Sequence, residues 1–344
     1  MKLTRAFIAA APILISHTLA HALPASGPTP AIEQLQNSQQ QQLMVPVPGL
    51  RAGTNAPELY AGENADIGPQ RILEVGPKAG NTPHRNWVEG QLDTQIFYTD
   101  NASYGPQPRI SSWVFVNTVL AAIAPDPFEL GNGKLAPAIG FSSQWYNYND
   151  GRMSPFDFDA QTAFANLRYL TGKWQFNLGA NFTALKSQNN SQGHGTYSDT
   201  YREWLPNAGV QRAFSINDNM AFIVGDAVSY HFTWVPSYTL VADDVNDHLD
   251  NTLYLTFNWQ ATAHLVLQPF YRFQYSYYRN RYYEPGTIRN DYLNSLGLNV
   301  MYNFNKYVGL RAFYSYTTKY SDDPLTSTYD EMNGGLGASL DIRF

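Results

Sequence analysis

A strict two-residue alternation of apolar and polar side chains constrains this chain more than any other feature, and it is clearest over residues 332–344. One register holds Met332, Gly334, Leu336, Ala338, Leu340, Ile342 and Phe344, and the other holds Asn333, Gly335, Gly337, Ser339, Asp341 and Arg343. Successive side chains of a β-strand point to opposite faces of the sheet. The segment is therefore predicted to be a strand with an apolar medium on one face and water on the other.

The same alternation recurs from Trp87 onward in segments that are bounded by turn residues. We count twelve, with approximate spans 88–100, 109–123, 134–148, 156–170, 173–187, 199–214, 219–234, 248–261, 264–279, 289–304, 306–319 and 328–344. Two of them break register part-way, because Leu167 and Asp226 fall on the wrong side of their strands. We predict β-bulges at these two places.

The connections between the segments alternate in length. Those after even-numbered segments are mostly tight, at 125–133, 171–172, 215–218, 262–263 and 305. Those after odd-numbered segments are longer, at 101–108, 149–155, 188–198, 235–247, 280–288 and 320–327. Outer-membrane barrels have short periplasmic turns, longer outer loops and an even number of strands, whereas a soluble sandwich has no reason to alternate in this way. The pattern predicts an all-β fold, a transmembrane antiparallel up-and-down β-barrel of about twelve strands, with both termini periplasmic.

Composition agrees with a barrel and excludes other classes. Charged residues are only 15% of the chain, and no run of 18 apolar residues follows the N-terminal region, which excludes a helical membrane protein. With 22 Lys and Arg against 28 Asp and Glu, there is no electrostatic case for binding nucleic acid. The chain has no cysteine, which excludes thiolate metal sites and a cysteine nucleophile and suits passage through an oxidising periplasm.

The first 87 residues differ from the rest. Residues 1–22 have the form of a cleaved secretory signal, with Lys2 and Arg5, an apolar stretch at 6–15, and Ala20-His21-Ala22 as the cleavage site. The alternative of a single membrane anchor is disfavoured because the apolar stretch is short and contains a proline. Residues 23–87 are rich in Pro and Gln and are predicted to be a periplasmic tail or linker, with a plug inside the barrel as the alternative. The barrel itself is expected over 88–344.

The segment Leu92–Asn101, with sequence LDTQIFYTDN, resembles the opening strand of the putative β-barrel porin family of outer-membrane proteins. This short motif would place the resemblance over 88–344. It implies a barrel with possible pore activity and no catalytic residues. A terminal Phe344, as in bacterial outer-membrane barrels in general, implies an assembly signal. The partners implied are outer-membrane lipids, the barrel-assembly machinery and periplasmic chaperones.

The polar register is predicted to line the interior and to supply charges of both signs. The candidate pore-lining residues are Lys173, Arg272, Arg311, Arg343, Asp93, Asp157, Asp159, Glu331 and Asp341. A twelve-stranded barrel is narrower than the porins with 16–18 strands. In such a tube these groups either orient small polar solutes as they pass or form salt bridges that fill the lumen. They show no basic excess, so no dedicated anion pore is predicted.

An embedded hydrolase is the enzymatic alternative. Ser229, His231 and Thr233 share one strand face, and a nucleophile-base pair would need a third polar group to orient the histidine. A lone strand histidine is more often a structural or lumen residue, so we predict no enzyme and no catalytic residue. His194 lies in a glycine-rich loop and His248 lies beside Asp247 and Asp250, and both are more simply interpreted as solvated, so no metal site and no cofactor are predicted.

The sequence therefore predicts a porin-like passive channel for small hydrophilic solutes in the bacterial outer membrane. The alternative is a non-conducting structural or surface-interaction barrel, linked to polysaccharide export for instance. A lipid hydrolase is the least favoured of the three.

Overall fold

A computed structural model describes residues 87–104, 109–125, 127–188, 197–217, 219–234, 246–279, 288–305, 307–323 and 328–343. Within these ranges the chain is almost entirely β-strand, with one turn of 3-10 helix at Ser154–Phe156. No helix in the described ranges is long and apolar enough to cross a membrane. The predicted signal peptide and all but the last residue of the predicted 23–87 tail lie outside the described residues and stay predictions.

The strands alternate up and down along the chain. Their bounds are β1 Val88–Thr99, β2 Ser112–Ile123, β3 Phe128–Leu130, β4 Gly133–Tyr148, β5 Phe158–Thr171, β6 Trp174–Gln188, β7 Tyr197–Asn217, β8 Met220–Trp234, β9 His248–Gln260, β10 Leu265–Tyr278, β11 Asn290–Asn303, β12 Val308–Ser321 and β13 Tyr329–Arg343. The twelve long strands correspond one to one with the twelve predicted segments. The short strand β3 lies in the connection 125–133, where no strand was predicted.

Backbone pairing closes the sheet into a barrel. Each long strand pairs antiparallel with its neighbour in sequence, β2 pairs directly with β4, and β1 pairs with β13 to close the ring. Only β4 pairs with β3, so β3 forms a small hairpin at one rim and is not part of the ring. The predicted barrel of about twelve strands is confirmed.

The two rims of the barrel differ. The strand β1 begins and β13 ends at one rim, where Glu89 pairs with Arg343, and the tight connections such as Gly172–Lys173 lie at this same rim. We call it the inner rim and the opposite one the outer rim. Short turns at the inner rim and long loops at the outer rim are the arrangement of bacterial outer-membrane barrels, in which the short turns are periplasmic.

The outward face carries a continuous apolar belt. Large side chains such as Leu178, Leu296 and Leu336 expose 60–61% of their surface at mid-strand, which a water-soluble protein would bury. Outward-facing aromatic rings flank the belt, with Tyr275, Tyr292 and Tyr320 side by side near the outer rim. The protein is thus an outer-membrane β-barrel whose outer surface contacts lipid.

The predicted bulges at Leu167 and Asp226 are wrong. Pairing of β5 with both of its neighbours runs without a shift through Leu167, and pairing of β8 with β9 runs without a shift through Asp226. Register shifts occur instead at Leu185/Lys186 and at Ser215/Asn217, both in the pairings of the long strand β7. Asp226 faces outward and accepts a hydrogen bond from Asn251 at 2.9 Å, so a neighbouring strand satisfies the carboxylate without a bulge.

Several interior glycines of the described strands lie directly opposite aromatic residues on a neighbouring strand, and Gly225 and Gly297 are two examples. Gly225 pairs with Tyr254, and Gly297 pairs with Phe270. A Cβ atom at Gly225 would lie 2.1 Å from the Tyr254 ring, and one at Gly297 would lie 2.5 Å from the Phe270 ring. The rings therefore lie flat against the wall over the glycines, an arrangement that covers the exposed backbone of a strand glycine.

Replacing Gly225 by alanine should destabilise the barrel. The new methyl group would displace the Tyr254 ring and break the 2.7 Å hydrogen bond from its hydroxyl to Gln211. We expect a loss of about 1–3 kcal/mol in the free energy of unfolding, as for other overpacked sites, measured by urea unfolding in lipid vesicles. The matched control is Gly334→Ala, where the nearest other atoms are 3.7 Å from the new Cβ. Equal stabilities of the two variants would contradict this account.

Candidate functional site in the barrel interior

Four of the residues predicted to line the pore lie inside the barrel and are buried there. Asp93, Arg272, Arg311 and Glu331 belong to inward registers of β1, β10, β12 and β13. The Arg311 guanidinium donates hydrogen bonds to Asp93 at 2.9 Å and to Gln95 at 2.6 Å. Its strand is two positions from β1, and the intervening strand β13 offers Gly337, where a Cβ atom would lie 2.7 Å from the guanidinium. Glycine at this position leaves room for the bridge.

The other two residues of this group have polar neighbours along the wall. Glu331 accepts a hydrogen bond from the Thr99 hydroxyl of β1 at 2.8 Å, close to the outer rim. Arg272 pairs across the sheet with Tyr254 on one side and Ser295 on the other, and only 1% of its surface is exposed. That these residues border a solute path stays a prediction.

Three predicted residues lie elsewhere. Lys173 is exposed in the tight turn between β5 and β6 at the inner rim. Asp159 is on the outward register of β5 and faces Lys186 of β6, so it does not line the interior. Phe158 and Ala160 are apolar, as lipid-facing residues usually are, but in this strand they point inward and are fully buried. Asp159, which lies between them, must therefore point outward.

Asp157 precedes β5 at the outer rim and accepts a hydrogen bond from the Tyr148 backbone N–H at 2.7 Å. Burial raises the pKa of this carboxyl, and the hydrogen bond from Tyr148 opposes that shift. Asp157 is therefore a rim residue and does not belong to an inward register of a strand. Asp341 and Arg343 lie in β13 near the inner rim, but their side chains are outside the described part of the structure, as is Phe344. For these three the predicted roles stay predictions.

A second group of charged residues lies in the interior near the outer rim. The sequence analysis did not predict that these residues are in contact. His231 on β8 is fully buried between two carboxylates, with its Nδ1 atom 2.5 Å from Glu203 on β7 and its Nε2 atom 3.1 Å from Asp250 on β9. His248, directly opposite His231 on β9, stacks on it with ring centroids 3.9 Å apart and an angle of 10° between the rings. We call Glu203, His231, His248 and Asp250 the histidine cluster.

The polar surface continues around the wall from the histidine cluster. Tyr278 of β10 stacks on His248, and the Arg289 guanidinium lies 3.9 Å from the centre of the Tyr278 ring. Arg289 forms an ion pair with Asp291, and Lys319 of β12 lies 3.2 Å from the same carboxylate. Buried charges of both signs therefore lie side by side along β7–β12 near the outer rim.

The opposite part of the interior near the outer rim is apolar. Residues Ala102 and Met153 from two outer-rim connections pack against the buried strand residues of this cluster. These strand residues are Phe97, Val114, Val116, Tyr146, Tyr148, Phe158, Ala160, Leu185, Tyr201 and Phe313. Asp150 holds the second of these connections in place, because its carboxylate accepts hydrogen bonds from the backbone and side chain of Arg152, which lower its pKa to about 2. The interior is thus divided into a polar wall and an apolar wall.

Sequence reasoning missed Glu203, Asp291 and Lys319 as interior groups. Each lies on an inward register of its strand, so alternation alone would have placed them there. What alternation does not reveal is which inward residues meet, because contacts between β7, β8 and β9 depend on the stagger of the strands.

Known proteins resemble this chain only distantly. No family model and no curated protein matches the chain. Among solved structures, an outer membrane channel from Pseudomonas putida F1 is 10% identical, with 78% of this chain and all of that chain covered and a TM-score of 0.48. The β domain of the Bordetella autotransporter BrkA is 12% identical, with coverages of 75% and 99% and a TM-score of 0.42. The NanC porin is 11% identical, with coverages of 72% and 98% and a TM-score of 0.40.

These similarities are low, and the fold assignment rests on the strand pairing and the apolar belt of this chain. On those grounds the resemblance to β-barrel porins holds at the level of the fold, and the chain is a bacterial outer-membrane β-barrel.

Removing the Arg311 charge should cost substantial stability. Arg311→Gln would leave Asp93 buried without its cation, and breaking a buried ion pair in this way costs about 3–5 kcal/mol. The double variant Asp93→Asn, Arg311→Gln should recover part of that loss, because no unpaired charge remains. Urea unfolding of the three variants in vesicles measures both quantities, and a double variant no more stable than Arg311→Gln would contradict the pairing.

Proposed function

We propose that this protein is a porin-like passive channel for small hydrophilic solutes. The observation that carries the proposal is that polar side chains of the interior form hydrogen bonds with side chains of neighbouring strands, along the barrel wall. Asn299 donates to Gln268, which donates to Asn258, and these three residues lie on the adjacent strands β11, β10 and β9. Other polar pairs of the interior likewise join strands one or two positions apart, namely Arg311–Asp93, Tyr254–Gln211, Gln274–Asp250, Ser295–Thr317 and Thr162–Thr183. Groups bonded along the wall present a polar surface to the barrel axis.

The charges on the polar wall support the same proposal. The inward registers carry both basic and acidic residues. The basic residues include Arg272, Arg311 and Lys319, and the acidic residues include Asp93, Asp291 and Glu331. A lining with both signs of charge and many amide and hydroxyl groups favours polar solutes without a strong preference for anions. Assembly would require the barrel-assembly machinery and periplasmic chaperones, as we propose for any barrel of this type.

Planar-bilayer recording of the purified, refolded protein tests the channel. We expect stepwise conductance from the full mature chain and a change in ion preference when Lys319 is replaced by Gln. A permeating ion about 8 Å from a unit charge in water interacts with that charge by about 0.5 kcal/mol. Loss of the lysine charge should therefore raise the cation-to-anion permeability ratio roughly twofold.

The matched control is Arg202→Gln, which removes a positive charge from an exposed, outward-facing site at the same end of the barrel. Its permeability ratio should equal that of the parent protein. Folded protein that gives no conductance steps would overturn the proposal and favour the non-conducting structural barrel. The apolar wall and the connections packed against it are the features that such a barrel would use to close its outer rim.

We propose no enzymatic activity for this barrel, although the geometry resembles a catalytic triad. Glu203 orients His231, and the Ser229 hydroxyl lies 3.5 Å from the histidine Nε2 atom. That nitrogen is nearer to the Asp250 carboxylate, at 3.1 Å. Carboxylates only accept, so a histidine that contacts one through each nitrogen carries both protons and has no lone pair with which to take the serine proton.

Ser229→Ala tests this interpretation. We expect the folded variant and the parent protein to show the same low background of lipid and ester hydrolysis in detergent micelles. Turnover by the parent protein that is lost in Ser229→Ala would identify a serine hydrolase and contradict the proposal.

A further inference from the structure

We propose that the histidine cluster binds one divalent transition-metal ion of the zinc type. The ligands would be the Nε2 atoms of His231 and His248, which lie 3.1 and 3.5 Å from the Asp250 carboxylate, and that carboxylate itself. All three residues are buried, and each offers a ligand atom within 4.8 Å of the others. The two histidines are directly opposite on β8 and β9, so the barrel wall itself places them side by side. This inference is independent of whether the barrel conducts.

The second nitrogen of each histidine is already engaged in the way that metal sites require. The Nδ1 atom of His248 lies 2.6 Å from the Asn246 backbone carbonyl, which can only accept, so this nitrogen carries a proton. The Nδ1 atom of His231 donates to Glu203 at 2.5 Å. Metal-binding histidines almost always donate their other N–H to a carboxylate or a backbone carbonyl, which fixes the ring and makes the free nitrogen a better ligand.

The charges of the cluster also call for a cation. Glu203 and Asp250 are both fully buried, and the second carboxylate oxygen of Glu203, Oε2, has no hydrogen-bond partner. A divalent ion bound between the two Nε2 atoms would take the place of the proton between His231 and Asp250. Its charge would compensate the two buried carboxylates. The Arg289 guanidinium, which lies over the Tyr278 ring beside the cluster, forms its ion pair with Asp291.

The donor set selects the class of metal. Two imidazoles and one carboxylate suit Zn²⁺, Co²⁺, Ni²⁺ or Cu²⁺, whereas Ca²⁺ and Mg²⁺ prefer oxygen ligands alone. Tetrahedral coordination at about 2.0–2.1 Å places neighbouring ligand atoms about 3.3 Å apart. Binding therefore requires the stacked rings to rotate slightly so that their Nε2 atoms converge, and a solvent molecule or solute would complete the coordination.

The test is metal binding by the full mature protein, refolded with and without Zn²⁺ and then dialysed. Elemental analysis should find one Zn²⁺ per chain. His248→Gln and Asp250→Asn should each weaken binding at least tenfold. Glu203→Gln removes the carboxylate that accepts hydrogen bonds from His231 Nδ1 and from the Tyr201 hydroxyl, and it should weaken binding about 10–100-fold, as loss of such outer partners does elsewhere. The matched control His264→Gln, at an exposed turn of the inner rim, should bind as the parent protein does.

Two further measurements keep the test independent of variant folding. The heat-dependent shift of the barrel on a gel identifies which variants are folded, and only those are compared. For the parent protein, the Co²⁺ form should show the intense visible absorption of tetrahedral coordination, and X-ray absorption of the Zn²⁺ form should show two imidazole ligands. Absence of bound metal in the parent protein, absence of imidazole ligands, or equal loss of binding in His264→Gln would each overturn the proposal.

Discussion

Closure of the backbone hydrogen-bond ring is the constraint on which the rest of this structure depends. In a bilayer an unpaired strand edge has no water to bond with, so every strand must pair on both sides. Here the pairing of β1 with β13 meets that requirement, with partners such as Leu92 and Leu340 in register along the whole strand. Once the ring is closed, each strand side chain faces either the lipid or the barrel interior. Successive residues of a strand therefore alternate between these two environments.

The interior of the ring is not uniform, and this affects both stability and function. Along β7–β12 many inward positions carry polar groups, which bond to neighbours along the wall. On the other side, near the outer rim, inward positions such as Phe97, Val114 and Phe158 form an apolar cluster that two connections cover. A solute path would therefore run beside the polar wall, and the histidine cluster lies on that wall near its outer end.

The strand β5 shows where alternation misleads. Phe158 and Ala160 are apolar and Asp159 is charged, so a rule of apolar outside and polar inside assigns the wrong faces. The structure reverses them because Phe158 stacks on Tyr146 inside the barrel, with ring centroids 4.3 Å apart. The supposed bulge at Leu167 disappears for the same reason, since Leu167 faces lipid in an unbroken register. Apolar residues are useful on both sides of a barrel wall wherever the interior contains an apolar cluster.

The amino-acid sequence by itself determined the class of fold, the number of long strands and the end of the barrel at which the long loops lie. These follow from two-residue alternation and from loop length, which are local properties of the chain. It also identified Asp93, Arg272, Arg311 and Glu331 as interior groups, because their strands alternate cleanly. Only the tertiary structure decided that Glu203, His231, His248 and Asp250 meet. Their contacts depend on the stagger between neighbouring strands, which is set when the ring closes and leaves no signature in any single segment.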